Sequence, residues 1–471
     1  MRLKTIIKNN YKKWKDDNYI YEKDKNGKYQ AISYSKFIED SLGIAKDLID
    51  RGYKNKKIII ISENSINLMK CDFAISFFVG LSSVVSKEWK KIDLLNGMEE
   101  LKADLLIYSD NYKDLVKEVE KETKIKTLNM KELKTTFSDE LFNLPIKKQN
   151  APAKIVFSSG TTGKSKAVKL SLKNIFAGIP SLTRRCNFTH EDSTYLFLPL
   201  NHTYASVYNF MYSLIKGYRI YLASSTANIG KELLETNPTI FCAVPLVFNN
   251  LLQAYKDKIG YAFGNNIKYL FCGGAPISKE TRKAYKEHNL NLMQAYALSE
   301  TASSLAIAYP YQDDLESVGT IFEDLDVKIF EPDKYGVGEI IVKGDCVFLG
   351  YTDKSLTKRV FDKNNYFHTG DLGFIKNNKI YLKGRKKKML LTSKGENIIA
   401  SSIEDNIKSR DKSIQDVKAY IKNGEIAVDV YVDENIDLKT IIDIYNNEVP
   451  KYERIESYNL YIDSIDTRLK Q

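Results

Sequence analysis

Strand-length apolar runs recur over most of the first 380 residues, and helical periods separate several of them. "KIIIIS" (57–62), "DLLIYS" (104–109), "KIVFSS" (154–159), "YLFLPL" (195–200), "TIFCAV" (239–244) and "YLFCGG" (269–274) are apolar nearly throughout rather than at alternate positions. A strand of that kind has no face for water, so its sheet must be covered on both sides. Leu42, Ala45, Leu48 and Ile49, just before the first run, repeat at helical spacing and supply one such cover. The implied fold class is α/β, with doubly wound βα sheets of parallel strands in a large N-terminal domain.

The pattern changes near "GRKKK" (384–388). A helix is predicted at 401–410, followed by "VKAYIKNGEIAVDVYV", an alternating hairpin turned by Asn423-Gly424. A second helix at 438–448 and a strand near 458–463 complete a small α+β domain. The expected division is a large domain at 1–384 and a small one at 385–471.

Composition narrows the function classes. The 471 residues carry 71 basic and 60 acidic side chains, a net charge of +11. The lysines are spread along the chain with Asn, Ile and Tyr, which reads as compositional bias rather than a basic stripe, so no nucleic-acid partner is expected. The longest apolar segment, "FAISFFVGLSSVV" (73–85), is shorter than the roughly 20 residues that span a bilayer, and no signal-peptide core is present at the start. The five cysteines are dispersed without a CxxC pair, and the four histidines are scattered. A reducing, cytoplasmic setting is expected, without a disulfide framework or a His-based metal cluster.

The stretch "VFSSGTTGKSKAVKLS" (156–171) has the composition of a phosphate-binding loop. A Walker A loop would place a glycine at Ser158 and open a helix at the lysine. Instead Val168, Leu170 and Leu172 alternate with Lys169 and Ser171, a strand pattern, and a helix starts only afterwards, capped by Ser171. What remains is a hairpin with a glycine-rich tip. Gly160 and Gly163 allow backbone N–H groups to face an anion, Ser158, Ser159, Thr161 and Thr162 add hydroxyl donors, and a lysine adds charge. A polar surface turn without a ligand is the alternative reading of the stretch alone.

"SSGTTGKSKAV" resembles the phosphate loop of the ANL superfamily of adenylate-forming enzymes, with Ser165 and Ala167 in place of that family's Pro and Gly. "LPLNHTYAS" (198–206), "GGAPIS" (273–278), "YALSET" (296–301), "GEIIVKGDCVFLGY" (338–351), "YFHTGDLG" (366–373) and "GRKKKMLLTSKGENI" (384–398) match further family motifs in the family's order. The resemblance implies ATP and Mg²⁺ as cofactors, a small carboxylic acid as substrate, and a phosphopantetheine thiol as acceptor. That thiol belongs either to CoA, which is favoured, or to a carrier protein. A nucleotide-binding pseudo-ligase is a further alternative.

By the same resemblance each motif acquires a role. Lys166 contacts the outer phosphates, Tyr296 stacks on adenine, Ser299 bonds the α-phosphate and Glu300 holds Mg²⁺. A single protein carboxylate suits Mg²⁺ when phosphate oxygens complete its shell. Asp371 takes the ribose hydroxyls with its two acceptor oxygens. Arg385 contacts ribose and phosphate, for which its planar fork is suited. Gly273, Gly274 and Ala275 leave space for adenine and acyl group, and His202 flanks the substrate carboxylate. Lys387 is the hinge between domains, Gly395 lines the thiol channel, and Lys470, in "DTRLKQ", is the lysine that bridges carboxylate and α-phosphate. The glycine that precedes this lysine in the family is absent here. His202-Thr203 replaces the pair that holds an α-ammonium group in amino-acid adenylation domains, so an α-amino acid is not the expected substrate. Apolar and aromatic segments near 201–212, 241–248 and 271–276 suggest an acid with an uncharged tail.

Overall fold

The computed structural model describes residues 3–158, 166–310, 314–386, 389–391 and 397–462. The chain forms two compact units. The first comprises Met1–Asp326 and Lys343–Phe367, the second Val327–Val342 and His368–Gln471. The boundary expected at 384/385 falls inside the second unit.

The first unit holds two sheets. One has six strands in the order Lys126–Asn129, Leu105–Tyr108, Lys57–Ile61, Leu81–Val84, Pro152–Ser158 and Lys166–Ser171. All neighbours are parallel except the last pair. Ile58 to Ile61 and Leu105 to Ile107 are fully buried, which is why both runs are apolar at successive positions. The second sheet has a parallel core running from Asn18–Lys23 through Arg219–Leu222, Ser193–Leu196, Ile240–Ala243 and Tyr269–Cys272 to Leu292–Tyr296. Antiparallel strands Tyr29–Ser33, Ala306–Ile307 and Gly319–Ile321 flank it. Tyr195, Phe241, Phe248, Phe263 and Tyr285 form an aromatic core between this sheet and its helices. The buried guanidinium of Arg185 donates to the carbonyls of Ile307, Thr320 and Ile321 and pairs with Glu323, fixing the helix Ile179–Arg185 to the antiparallel strands.

One run departs from expectation. "YLFLPL" stops being a strand at Leu196, because Pro199 cannot donate to a ladder. Asn64 then holds the chain as a loop, donating to Leu198 O at 2.9 Å and accepting from Leu200 N at 3.1 Å.

In the second unit, Asp326–Phe330, Gly338–Lys343, Phe367–Lys376 and Lys379–Arg385 lie side by side in that order. The chain continues through the helix Ala400–Lys408 into the hairpin Ile414–Lys422 and Glu425–Val432, with Ile455–Ile462 parallel to its second strand. Asn423 and Gly424 both have positive φ (53° and 84°), as a two-residue turn matched to strand twist requires. Ile403, Ile407, Val428, Val430, Leu438 and Ile442 form the core under the helices. The helix Leu438–Glu448 falls where its periodicity predicts; the last strand starts earlier than expected, at Ile455.

Candidate active site

The glycine-rich stretch lies between two paired strands. Pro152–Ser158 and Lys166–Ser171 run antiparallel, with Ser158 opposite Lys166. Ser158 Oγ donates to Lys166 O at 3.3 Å across its base. Ser171 caps the following helix by accepting from Asn174 N. Lys166 begins a strand rather than a helix, and the first helix after it starts at Leu172, against a Walker A arrangement. Ser159, Gly160, Thr161, Thr162, Gly163, Lys387, Gly395 and Lys470 lie outside the described residues.

The segment 349–352 lies antiparallel against the outgoing strand. Leu349 N donates to Lys169 O, Lys169 N to Gly350 O and Thr352 N to Ala167 O, all at 2.9–3.0 Å. This register brings Tyr351 under Lys166, whose Nζ lies 5.3 Å from the ring centroid. Tyr351 OH donates to Glu300 Oε1 at 2.7 Å. Burial, with the Glu300 charge beside it, pushes the phenol well above its ordinary value, so the hydroxyl stays protonated and acts as a donor to the carboxylate. Lys166 and Glu300 are thus brought together through a tyrosine that the motifs gave no reason to single out. It is the last residue of "GEIIVKGDCVFLGY".

Glu300 sits in the short turn Ser299–Thr301 after the strand Leu292–Tyr296, at the carboxyl end of the parallel core. That edge is where open α/β sheets bind ligands. Phe348 N donates to Glu300 O at 2.8 Å, and the two residues that follow Thr301, Ala302 and Ser303, both take left-handed φ (46° and 59°). Such strain persists only where neighbours enforce it, and Ser303 Oγ donates to Thr203 Oγ1 at 2.8 Å. Glu300 is 9% exposed. Its Oε2 has no hydrogen-bond partner among the described residues. A carboxylate with one oxygen held and the other open fits a magnesium ion that takes its remaining ligands from phosphate and water. Tyr296 is buried at the end of its strand, and Ser299 is half-buried beside it.

Neighbouring strand ends carry the other candidates. Gly273 is buried against Tyr204, and a Cβ there would stand 3.3 Å from that ring. Gly274 has φ +84°, and Ala275 O accepts from Gln294. His202 is exposed and has no ring partner among the described residues; neighbouring atoms nonetheless exclude enough water to lower its imidazole below the ordinary value, favouring the neutral form. A cavity of about 600 Å³ opens in this unit, bordered by Glu63, Asn64, Val85, Pro199 and Asn201. It adjoins the His202 loop, whereas Lys166, Tyr351 and Glu300 do not line it.

The remaining described candidates belong to the second unit. Asp371 is 4% exposed and lies in the strand Phe367–Lys376, not in a turn. It is directly opposite Arg385 in the ladder, and Arg385 Nε reaches Asp371 Oδ1 at 2.8 Å. Nearby, Glu339 Oε1 accepts from Gly370 N at 3.1 Å. Glu339 Oε2 faces His368 Nδ1 at 3.0 Å and Lys386 Nζ at 2.9 Å. Burial alone would raise the Glu339 carboxyl, but hydrogen bonds from His368 and Lys386 outweigh it and hold the group below its ordinary value. Glu339 was also absent from the residues that the motifs single out.

Two largely parallel sheets with an acidic turn at the strand ends are the frame of an α/β ligand-binding protein, and the match to a family model makes its class that of the adenylate-forming enzymes. The chain belongs to the AMP-binding enzyme family, whose model matches residues 7–352. It is 27% identical over 318 residues to the long-chain-fatty-acid–CoA ligase ACSBG2 of Gallus gallus, covering 55% of this chain and 42% of that protein. It is 24% identical over 395 residues to the 2-succinylbenzoate–CoA ligase of Oceanobacillus iheyensis, covering 80% and 78% respectively. Among solved structures, the o-succinylbenzoate coenzyme A synthetase of Bacillus subtilis in complex with AMP has a TM-score of 0.82 at 19% identity, covering 97% of this chain and 94% of that one. ATP-bound MatB of Rhodopseudomonas palustris has a TM-score of 0.82 at 20% identity, covering 98% and 95%. At these identities the structural likeness establishes the fold.

Proposed function

We propose that this chain is an AMP-forming acid–thiol ligase that activates a carboxylic acid with ATP and transfers the acyl group to a phosphopantetheine thiol. In the first step a carboxylate oxygen attacks the α-phosphorus, the bond to the pyrophosphate oxygen breaks, and acyl-AMP and pyrophosphate form. In the second a thiolate attacks the acyl carbon, AMP leaves, and a thioester results. The observation that carries this reading is Glu300, a nearly buried carboxylate held by Tyr351 on one oxygen and open on the other, joined through the same tyrosine to Lys166.

Glu300 would hold Mg²⁺, which supplies charge neutralisation on the phosphates when bound. The protein's own part is to position and neutralise charge. Lys166, resting on an aromatic face, can exchange that contact for the outer phosphates, with the hydroxyls and backbone of Ser158–Gly163 around them. Tyr296 stacks on adenine beside Gly273, Gly274 and Ala275, and Ser299 bonds the α-phosphate. Asp371 takes the ribose hydroxyls while Arg385 bridges to phosphate; their existing ion pair supports this assignment by keeping both groups ordered in one register. Neutral His202 flanks the substrate carboxylate without adding a like charge to the phosphates. Lys470 closes on the α-phosphate for the first step. Residues 385–471 then turn about Lys387 as a body, and Gly395 admits the thiol.

CoA is the favoured acceptor, because the relatives reported above are named as CoA ligases. A cytoplasmic location agrees with five free cysteines, all buried, and with the lack, among the described residues, of a helix long and apolar enough to cross a membrane. The test is a hydroxylamine-trapping assay over aryl and fatty acids, followed by discharge of the preformed adenylate. The expected result is hydroxamate with an uncharged-tail acid, none with α-amino acids, and thioester formation with free CoA. Discharge by a carrier protein alone would replace CoA as acceptor, and trapping with no acid would reject ligase activity.

A further inference from the structure

The carboxylate of Glu339 receives three donors from two segments of the chain. Gly370 N lies just before Asp371 in the strand Phe367–Lys376, His368 lies two residues earlier in the same strand, and Lys386 follows Arg385. Gly370 has φ +75°, and a Cβ there would meet nothing within 4 Å, so backbone conformation rather than space requires glycine. Thr369 ties the same strand segment down: its Oγ1 donates to Ile340 O at 2.7 Å and accepts from Asp371 N at 3.0 Å. Glu339 therefore fixes the approach to Asp371 on one strand and the exit from Arg385 on the next. At 6% exposure its charge is little screened, and its oxygens are occupied by donors rather than open to a ligand.

We propose that Glu339 is a positioning residue for nucleotide recognition: by clamping the backbone at Gly370 to Lys386 it sets the Asp371–Arg385 pair in the geometry that reads the ribose hydroxyls. The inference rests on the reading that Asp371 takes those hydroxyls. Glutamine at 339 preserves the acceptor for Gly370 N but turns an amide N–H₂ toward Lys386 and His368, which are donors themselves. Alanine removes all three contacts.

The test compares steady-state kinetics with ATP, 2′-deoxyATP and 3′-deoxyATP for the full chain and for Glu339→Gln, Glu339→Ala and Lys386→Met. Wild type is expected to favour ATP over a deoxy analogue by about tenfold or more in kcat/KM, the scale of one hydrogen bond to a charged group. Glu339→Ala raises the KM for ATP by about tenfold, leaves the KM for the acid unchanged and leaves the deoxy analogues nearly unaffected, so the preference for ATP collapses. Glu339→Gln is intermediate. Lys386→Met, at a half-exposed side chain that can be lost without unfolding, weakens the preference in the same direction even if the alanine variant does not fold. Unchanged preference for ATP in folded Glu339→Ala, or in Lys386→Met if alanine fails to fold, would overturn the proposal. A wild type indifferent to the ribose hydroxyls would overturn it together with the assignment of Asp371.

Discussion

Glu300→Gln is expected to lower acid-dependent pyrophosphate release by about 10²–10³-fold, the typical loss when one preorganised electrostatic contact is removed. The substitution is nearly isosteric. Its amide oxygen can still accept from Tyr351 OH, which donates to Oε1 at 2.7 Å, and the backbone bond from Phe348 is untouched. What disappears is the negative charge on the open oxygen, and with it the protein's carboxylate for Mg²⁺. The melting temperature should stay near that of wild type, while the magnesium concentration for half-maximal rate rises. A loss below threefold with an unshifted magnesium dependence would remove Glu300 from the site.

The second large effect concerns stability. Lys154 and Asp72 form an ion pair at 2.5 Å with both side chains 2% exposed, and Ser82 Oγ donates to the other Asp72 oxygen at 2.6 Å. Lys154 belongs to the strand that leads into the glycine-rich hairpin. Asp72→Ala strands an ammonium in the interior and is expected to cost about 3–5 kcal/mol, because desolvation of the remaining charge is no longer compensated. The denaturation midpoint of the first unit, followed by its aromatic signal, measures the loss. The double variant Asp72→Leu with Lys154→Met should recover most of it, since replacing a buried pair by apolar side chains of similar volume is often neutral. A single variant as stable as wild type would show that the pair carries no such energy.

The sequence made the strand at 166–171 legible because Val168 and Leu170 alternate with Lys169 and Ser171, and the Asn423-Gly424 hairpin because its turn needs two positive φ angles. Lys154 was not legible as a buried charge: its partner is 82 positions away, on the helix Ile66–Ala74, and meets it only in the folded chain. The same reason hid Tyr351 and Glu339. Tyr351 reaches Glu300 across 51 residues and Glu339 reaches Gly370 across 31, so no local pattern reports either contact. Asp371 and Arg385 were visible as motif residues, but their pairing follows from a register containing a bulge between Leu372 and Gly373, which periodicity does not specify. The packing units likewise depend on which strands pair, so they cut across the change in texture at 384.

The most direct measurement is the identity of the nucleotide released. With the full chain, ATP, Mg²⁺, CoA and a panel of aryl and fatty acids, chromatography should show AMP and pyrophosphate in equal amounts over many turnovers, pyrophosphate requiring an accepted acid and AMP requiring the thiol acceptor as well. Release of ADP and phosphate, or AMP formation indifferent to every acid, would contradict the proposal that this fold joins a carboxylate to the α-phosphate.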